Sequence, residues 1–352
     1  MAVILLHMSY KAIYICTFFG EKKVILGVES SCDETGLALY HSEKGLLGHI
    51  TSSQHAIHEK YGGIVPELAS RDHVRKFIPI LENLLEKTRL DIRDINLISF
   101  TIGPGLLGPL LTGASFSKSL AYSLNIQAIE VDHLEAHIMS PMMIDRTIKP
   151  PFLSLLVSGG HTFLSIIDKD QEHELIGKSL DDAAGEVFDK VARTLGLGYP
   201  GGPEISKAAS LVNKSSFNFP RPMLKSENYN FSFSGLKTSV INTIKNRDLN
   251  DRLISDIAYD FENSIIDVLI TKTFKAAKNY QIKNIVVSGG VSANKKLRTR
   301  FLSEGKGNNI YFPDLEFSTD NGAMIAFLGY LKSKKDISSN LEINPHTISD
   351  FF

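Results

Sequence analysis

Apolar residues fall along this chain in short blocks, alternately continuous like buried strands and spaced like helix faces. Val24–Glu29 reads as a buried strand and Ser30–Thr35 as a polar turn, followed by short strands at Gly36–Tyr40 and Leu46–Ser52. Gly62-Gly63 breaks the chain, and Pro66 then opens a helix at the position where proline is tolerated. Leu68, Val74, Phe77, Ile78, Leu81, Leu84 and Leu85 give that helix its apolar face. Leu97–Thr101 is a strand running into Gly103-Pro104-Gly105, and Leu106–Leu124 is the next helix.

The second half repeats the plan. Phe152–Val157, Thr162–Ile167 and His173–Ile176 read as strands, with a Ser158-Gly159-Gly160 turn after the first. Asp182–Leu195 reads as a helix, and a Pro/Gly/Asn-rich insertion follows from Gly196 to about Phe233. Ile254, Ile257, Phe261, Ile265, Val268 and Leu269 mark a long amphipathic helix. Ile285–Val287 is a buried strand ended by Ser288-Gly289-Gly290, and a helix begins near Ala293 with Ser292 as its expected N-cap. Three strands, helix, strand, helix, written twice, predicts an α/β fold with two like lobes. Four strands end in small-residue loops: Ser30-Ser31, Gly103–Gly105, Ser158–Gly160 and Ser288–Gly290. Ligands of open α/β sheets sit beyond such strand ends, and small residues let backbone N–H groups approach a phosphate. A nucleotide-like ligand in a central cleft is therefore expected.

A length of 352 residues suits two domains or a two-lobed fold. Lys plus Arg number 38 against 39 Asp plus Glu, a net charge of −1. That balance excludes nucleic-acid binding through bulk charge and a polyacidic disordered chain. Two cysteines, Cys16 and Cys32, exclude a disulfide scaffold and a cysteine-only zinc site, and fit a reducing compartment. Met1–Gly20 is apolar, but no positive charge precedes it, His7 and Lys11 interrupt it, and no small-residue cleavage site follows. Residues 1–23 are read as a loosely attached extension, with Met8 as an alternative start; the absence of Arg favours the bacterial cytoplasm over the mitochondrial matrix.

Val131-Asp132-His133-Leu134-Glu135-Ala136-His137 places two histidines at i and i+4, on one face of a helix, where both can reach one ion or simply sit as surface or core residues. In the zinc-protease helix the general-base Glu directly follows the first His; Glu135 is one position later and points away, which argues against peptide hydrolysis. Asp320, in Ser318-Thr319-Asp320-Asn321-Gly322, either caps the following helix, as Thr319 could, or supplies a third ligand. Two His and one carboxylate with open positions suit Fe(II) or Zn(II).

At this point the motifs match a known family. Val28-Glu29-Ser30-Ser31-Cys32-Asp33-Glu34-Thr35, Tyr61-Gly62-Gly63-Ile64-Val65-Pro66-Glu67-Leu68-Ala69-Ser70-Arg71, His133 with His137, Leu156-Val157-Ser158-Gly159-Gly160-His161, Tyr199-Pro200-Gly201-Gly202-Pro203, Ser288-Gly289-Gly290-Val291-Ser292-Ala293-Asn294 and Thr319-Asp320-Asn321-Gly322-Ala323-Met324 occur in family order. Over about residues 24 to 330 the chain resembles the bacterial and mitochondrial tRNA adenosine threonylcarbamoyltransferases of the actin-like ATPase superfamily.

The resemblance implies a duplicated actin-like, ribonuclease H-like fold: lobe I at 24–149, joined by the C-terminal segment 335–352, and lobe II at 150–334 with the insertion 196–233. It implies transfer of threonylcarbamoyl from L-threonylcarbamoyladenylate to the exocyclic amine of the adenosine beside the anticodon, in tRNAs reading codons that begin with A. It places one divalent metal, Fe(II) by preference or Zn(II), on His133, His137 and Asp320. Adenylate contacts fall on Leu156, Val157, Ser158, Gly159, Gly160, Asp189, Gly202 and Asn294, and catalytic positions on Asp33, Glu34 and His161. Asp189 could instead form a helix-surface pair with Arg193, and Asn294 could cap its helix. One departure is Ala136, where the family usually has Gly; ligation is expected to survive it.

The resemblance also implies partners: tRNA, and either a paralogous actin-like subunit with a small ATPase, as in bacteria, or a second copy, as in mitochondria. No membrane is involved. Two basic runs, Arg71/Arg75/Lys76 and Lys295/Lys296/Arg298/Arg300, are candidates for tRNA contact, each equally readable as a solvated helix face. The alternatives are an ATPase or kinase of the same superfamily, against which the His pair argues, and a non-catalytic scaffold paralogue, which should lack the three metal-type residues.

Overall fold

The structure is a computed structural model describing residues 22–61, 63–214, 217–245, 247–334 and 342–347. Met8, Cys16 and most of the N-terminal extension lie outside the described residues, as does the C-terminal segment except for 342–347. The first half runs β1 (Val24–Glu29), β2 (Glu34–His41), β3 (Gly45–Ser53), α1 (His55–His58), α2 (Pro66–Thr88), β4 (Leu97–Gly103), α3 (Leu107–Leu124), β5 (Gln127–Asp132), α4 (His133–Met139) and α5 (Pro141–Ile144). The second runs β6 (Phe152–Val157), β7 (Thr162–Ile167), β8 (His173–Lys178), α6 (Ala184–Thr194), α7 (Gly201–Ala209), α8 (Ser234–Ile244), α9 (Asp251–Asn279), β9 (Asn284–Ser288), α10 (Lys295–Glu304), β10 (Asn309–Tyr311) and α11 (Gly322–Lys332).

Each half builds a five-stranded sheet of the same order, β3-β2-β1-β4-β5 and β8-β7-β6-β9-β10. In both, the first three strands are antiparallel neighbours and the last two run parallel to the first. The apolar pattern foretold eight of these strands and missed β5 and β10. Gln127-Ala128-Ile129-Glu130-Val131-Asp132 carries polar residues on an edge strand, and β10 has only three residues, so neither shows a long apolar run. The 196–233 insertion contains helix α7 and contributes Ile205, Phe219, Phe231 and Phe233 to the second core.

Two outer cores lie under α2 and α3 on the first sheet and under α6 to α9 on the second. A third, central core joins the halves, and here the helices cross over. Helix α4, from the first half, packs on β6 and β9, while α11, last in the second half, lies on β1, β2 and β4. Close approach makes this possible: a β-carbon on Gly27 would overlap the Gly322 carbonyl and the Ala326 amide, and one on Gly329 would overlap Ser99. Ser99 Oγ donates to the Ile325 carbonyl at 2.9 Å. Residues 342–347 also return to the first half, where the His346 amide donates to the Ile102 carbonyl at 3.2 Å and Lys118 donates to the Glu342 carbonyl.

Candidate metal centre and substrate cleft

The crossover brings the starts of α4 and α11 together at the carboxyl ends of β1, β4 and β5. Asp132 N-caps α4, its Oδ1 accepting from Leu134 N at 2.8 Å and Glu135 N at 3.0 Å. This fixes His133 at the first helical position and His137 one turn later, both buried. Asn321, not Asp320 or Thr319, caps α11, its Oδ1 accepting from Met324 N at 2.9 Å. Asp320 is thereby left to face the histidines: its Oδ1 lies 3.0 Å from His137 Nε2 and 3.4 Å from His133 Nε2. One ligand atom from each of the three falls within 4.8 Å of the others. Glu135 turns away to Lys332, 2.8 Å distant, as its place in the helix predicts.

The surroundings test whether these residues fit a cation. Glu29, Asp33, Glu34 and Asp320 act electrostatically on one another in a poorly solvated site. Burial, then Asp320, Asp33 and Glu29, pushes the Glu34 carboxyl up to about 9. Burial and Asp320 likewise raise Asp33. Burial alone would raise Asp320, but His133 and His137 hold it far below the carboxylate range. Burial disfavours the His133 imidazolium, yet Asp320 and Glu29 outweigh it and raise its pKa well above the usual value. Crowded carboxylates beside two imidazoles whose Nε2 atoms converge on one oxygen are the donor set of a divalent-metal site, and the residues fit the expected group. Burial followed by Asp33 and Asp320 pushes the Cys32 thiol up, so it is no thiolate nucleophile at neutral pH.

The second half supplies the other wall. Leu156 and Val157 are fully buried at the end of β6, and the turn after them is closed by Ser158 N donating to His161 O at 2.8 Å. Gly159 and Gly160 are exposed with open space around them, so the turn is accessible. Burial, then His133 and His137, pushes the His161 pKa down to about 4. Asp189 accepts from Gly201 N at 2.6 Å and so holds the loop after Tyr199. Close packing falls to Gly201, where a β-carbon would meet Phe188 O, whereas Gly202 faces open space. Tyr199 feels the charges of Asp33 and Asp189 and lies tilted against the His55 ring of the first half, ring centroids 5.3 Å apart.

Asn294 is placed differently from the rest. It, rather than Ser292, N-caps α10, with Oδ1 accepting from Leu297 N at 2.9 Å. Its Nδ2 donates to Ser206 Oγ at 2.9 Å and to the buried Glu262 at 2.8 Å, so the side chain is engaged within the protein. Sequence reasoning overlooked Glu29, read only as the last residue of a strand. Its signal was an acid closing an otherwise apolar run, since a buried carboxylate needs partners. In the basic run on α10, Lys295 is exposed but the other three cations are engaged within the protein. Lys296 is 3.5 Å from Glu262, Arg298 donates to Ser292 O, Pro313 O and Ser318 Oγ, and Arg300 pairs with Asp267 and Glu304.

The family model for TsaD, tRNA N6-adenosine threonylcarbamoyltransferase, matches residues 45–327. The chain belongs to this family. A tRNA N6-adenosine threonylcarbamoyltransferase of Ralstonia pickettii (strain 12J) is 50% identical over 320 residues, covering 89% of this chain and 92% of that one. One from Thermosipho africanus (strain TCF52B) is 47% identical, covering 90% and 96%. Among solved structures, the transferase resembles full-length HypF with a TM-score of 0.58 at 15% identity, covering 90% of this chain and 56% of HypF. It also resembles component A of an (R)-2-hydroxyglutaryl-CoA dehydratase from Acidaminococcus fermentans, with a TM-score of 0.51 at 15% identity, covering 90% and 100%. These two likenesses concern the fold, and with the duplicated sheets they establish the actin-like architecture. Family membership favours the transferase over the ATPase, kinase and scaffold alternatives. No helix among the transferase's described residues is long and apolar enough to cross a membrane.

Proposed function

We propose that the chain moves the threonylcarbamoyl group of L-threonylcarbamoyladenylate to N6 of the adenosine beside the anticodon, in tRNAs reading codons that begin with A. N6 attacks the carbamoyl carbon, the bond from that carbon to the adenylate phosphate oxygen breaks, AMP leaves, and the amine loses one proton. An exocyclic adenine amine is a weak nucleophile, so positioning and activation of the electrophile carry the rate. His133, His137 and Asp320 would hold one divalent cation, Fe(II) by preference or Zn(II), which would supply positive charge to the donor's phosphate or carbamoyl oxygen.

The open Ser158–Gly160 turn would receive the adenylate phosphate, with Leu156, Val157, Gly202 and Asp189 beside the nucleoside; Asn294 would act by fixing the start of α10. His161, kept uncharged at neutral pH by burial and by His133 and His137, is in the state to take the amine proton, and Glu34 lies in the acidic group beside the cation site. Asp33 lies in the same acidic group. The acceptor base must arrive unstacked, and the His55–Tyr199 ring pair offers stacking surface next to these acids. A paralogous actin-like subunit with a small ATPase, in a bacterial cytoplasm, is the setting this reading favours, because the chain has no net positive charge with which to hold tRNA alone.

The observation that carries the proposal is the convergence of His133 and His137 on α4 with Asp320 just before α11. Elemental analysis of freshly purified protein should find about one Fe or Zn per chain. His133→Ala and Asp320→Ala should each lose the metal and at least about 100-fold of the transfer rate while keeping the wild-type circular dichroism spectrum. Full transfer to transcript tRNA by either variant would remove the metal from the mechanism.

A further inference from the structure

Glu29 ends β1 with its side chain fully buried, and both its carboxylate oxygens are held by hydrogen bonds. Its Oε1 accepts from Ser31 N at 2.6 Å. Its Oε2 accepts from Thr101 Oγ1 at 2.6 Å and lies 3.1 Å from His133 Nδ1. Ser31 belongs to the loop after β1 and Thr101 to the neighbouring strand β4, so the carboxylate is clamped from two sides before His133 reaches it. His137 is different: its Nδ1 is buried with no hydrogen-bond partner among the described residues.

We infer that Glu29 is the positioning residue of the metal centre, holding a proton of His133 on Nδ1 so that Nε2 is the nitrogen left to bind the cation it would share with Asp320. Three consequences follow from the chemistry of the donors. An ionised carboxylate with no proton of its own can only accept, so the ring nitrogen facing it must donate. A carboxylate behind a ligating imidazole also makes that imidazole more basic and a stronger ligand. Finally, Glu29 and Asp320 together carry two negative charges, which balance one divalent cation between two neutral imidazoles. His133 is therefore the anchored ligand, and His137, lacking such a partner, is the adjustable one.

The inference rests on the metal reading of His133, His137 and Asp320, and the test separates the two. Full-length protein is stripped with a chelator, and Zn(II) affinity is measured by competition with a chromophoric chelator, alongside thermal unfolding of the metal-free forms. Glu29→Gln keeps the shape of the side chain. Its amide oxygen can still take the Ser31 N–H, but its NH2 then faces His133 and favours the tautomer with the proton on Nε2. The Zn(II) dissociation constant of the folded protein should rise about 10- to 100-fold, over and above any fall in the metal-free melting temperature from loss of the buried pair with His133. Thr101→Val, which frees Oε2 without touching the histidines, should shift affinity in the same direction and keeps the test open if Glu29→Gln does not fold. A purely structural Glu29 would lower the melting temperature and leave the affinity of the folded fraction alone. Affinity within about fivefold of wild type in both variants overturns the inference. Absence of Zn(II) and Fe(II) binding by the wild-type protein overturns the metal reading itself.

Discussion

His133 and His137 share a face because four residues make slightly more than one helical turn, and Ala136 between them is buried in the central core without turning either ring away. Elsewhere a single buried charge makes a prediction of its own. Lys272, on α9, is almost wholly buried, donating to Ser226 Oγ at 2.9 Å and Asn228 O at 3.0 Å with no carboxylate among these partners. Burial, then Lys275, pushes its pKa down to about 8 from the usual 10.5. Between those two values the unfolded chain binds the proton that the folded one has released, so stability contributed by this group rises with pH across that window. The urea midpoint of wild type relative to Lys272→Met should therefore increase from pH 8 to pH 10; a constant difference would show that the amine stays charged in the fold.

At the scale of elements, α11 is the piece on which the site depends. It carries Asp320 at its approach and lies against β1 with only hydrogen atoms between the Gly27 and Gly322 backbones. Gly27→Ala should destabilise the protein by about 1–3 kcal/mol, the usual cost of overpacking, and should also weaken metal retention because the helix must move to admit a methyl. Unchanged melting and metal content would mean that α11 is not seated as described. The elements themselves were mostly legible: long apolar runs at β1, β4, β6 and β9 announce buried parallel strands, and Pro66 marks the start of α2. Beyond β5 and β10, whose period is weak, the choice among candidate helix caps was decided by hydrogen bonds. Asn294 and Asn321 outcompete Ser292 and Asp320 as N-caps because their side chains reach the amides three residues on.

For the whole molecule, near-zero net charge leaves tRNA to be held by local contacts, and in one candidate run most cations are already engaged within the protein. Arg300 is half of a network with Asp267 and Glu304, both at 2.5 Å. Arg300→Ala should cost about 1 kcal/mol of stability. It should leave the slope of log tRNA affinity against log salt unchanged in the active assembly, whereas loss of a true phosphate contact lowers that slope by about 1. A reduced slope would restore α10 to the tRNA surface. The Arg71/Arg75 face of α2 is exposed and remains available for such contact.

By itself the sequence determined the duplicated strand–helix plan, the small-residue strand ends and the identity of the metal-type side chains, because periodicity and i, i+4 spacing are local properties of a chain. Local reasoning left Asp320 either a helix cap or a third ligand and did not reach Glu29: Asp320 is 183 residues from His137, and Glu29 is 104 residues from His133. Only the exchange of α4 and α11 between the two sheets brings them together. The seating of α11 follows from where glycine permits backbones to touch, and contact of that kind has no period along the sequence.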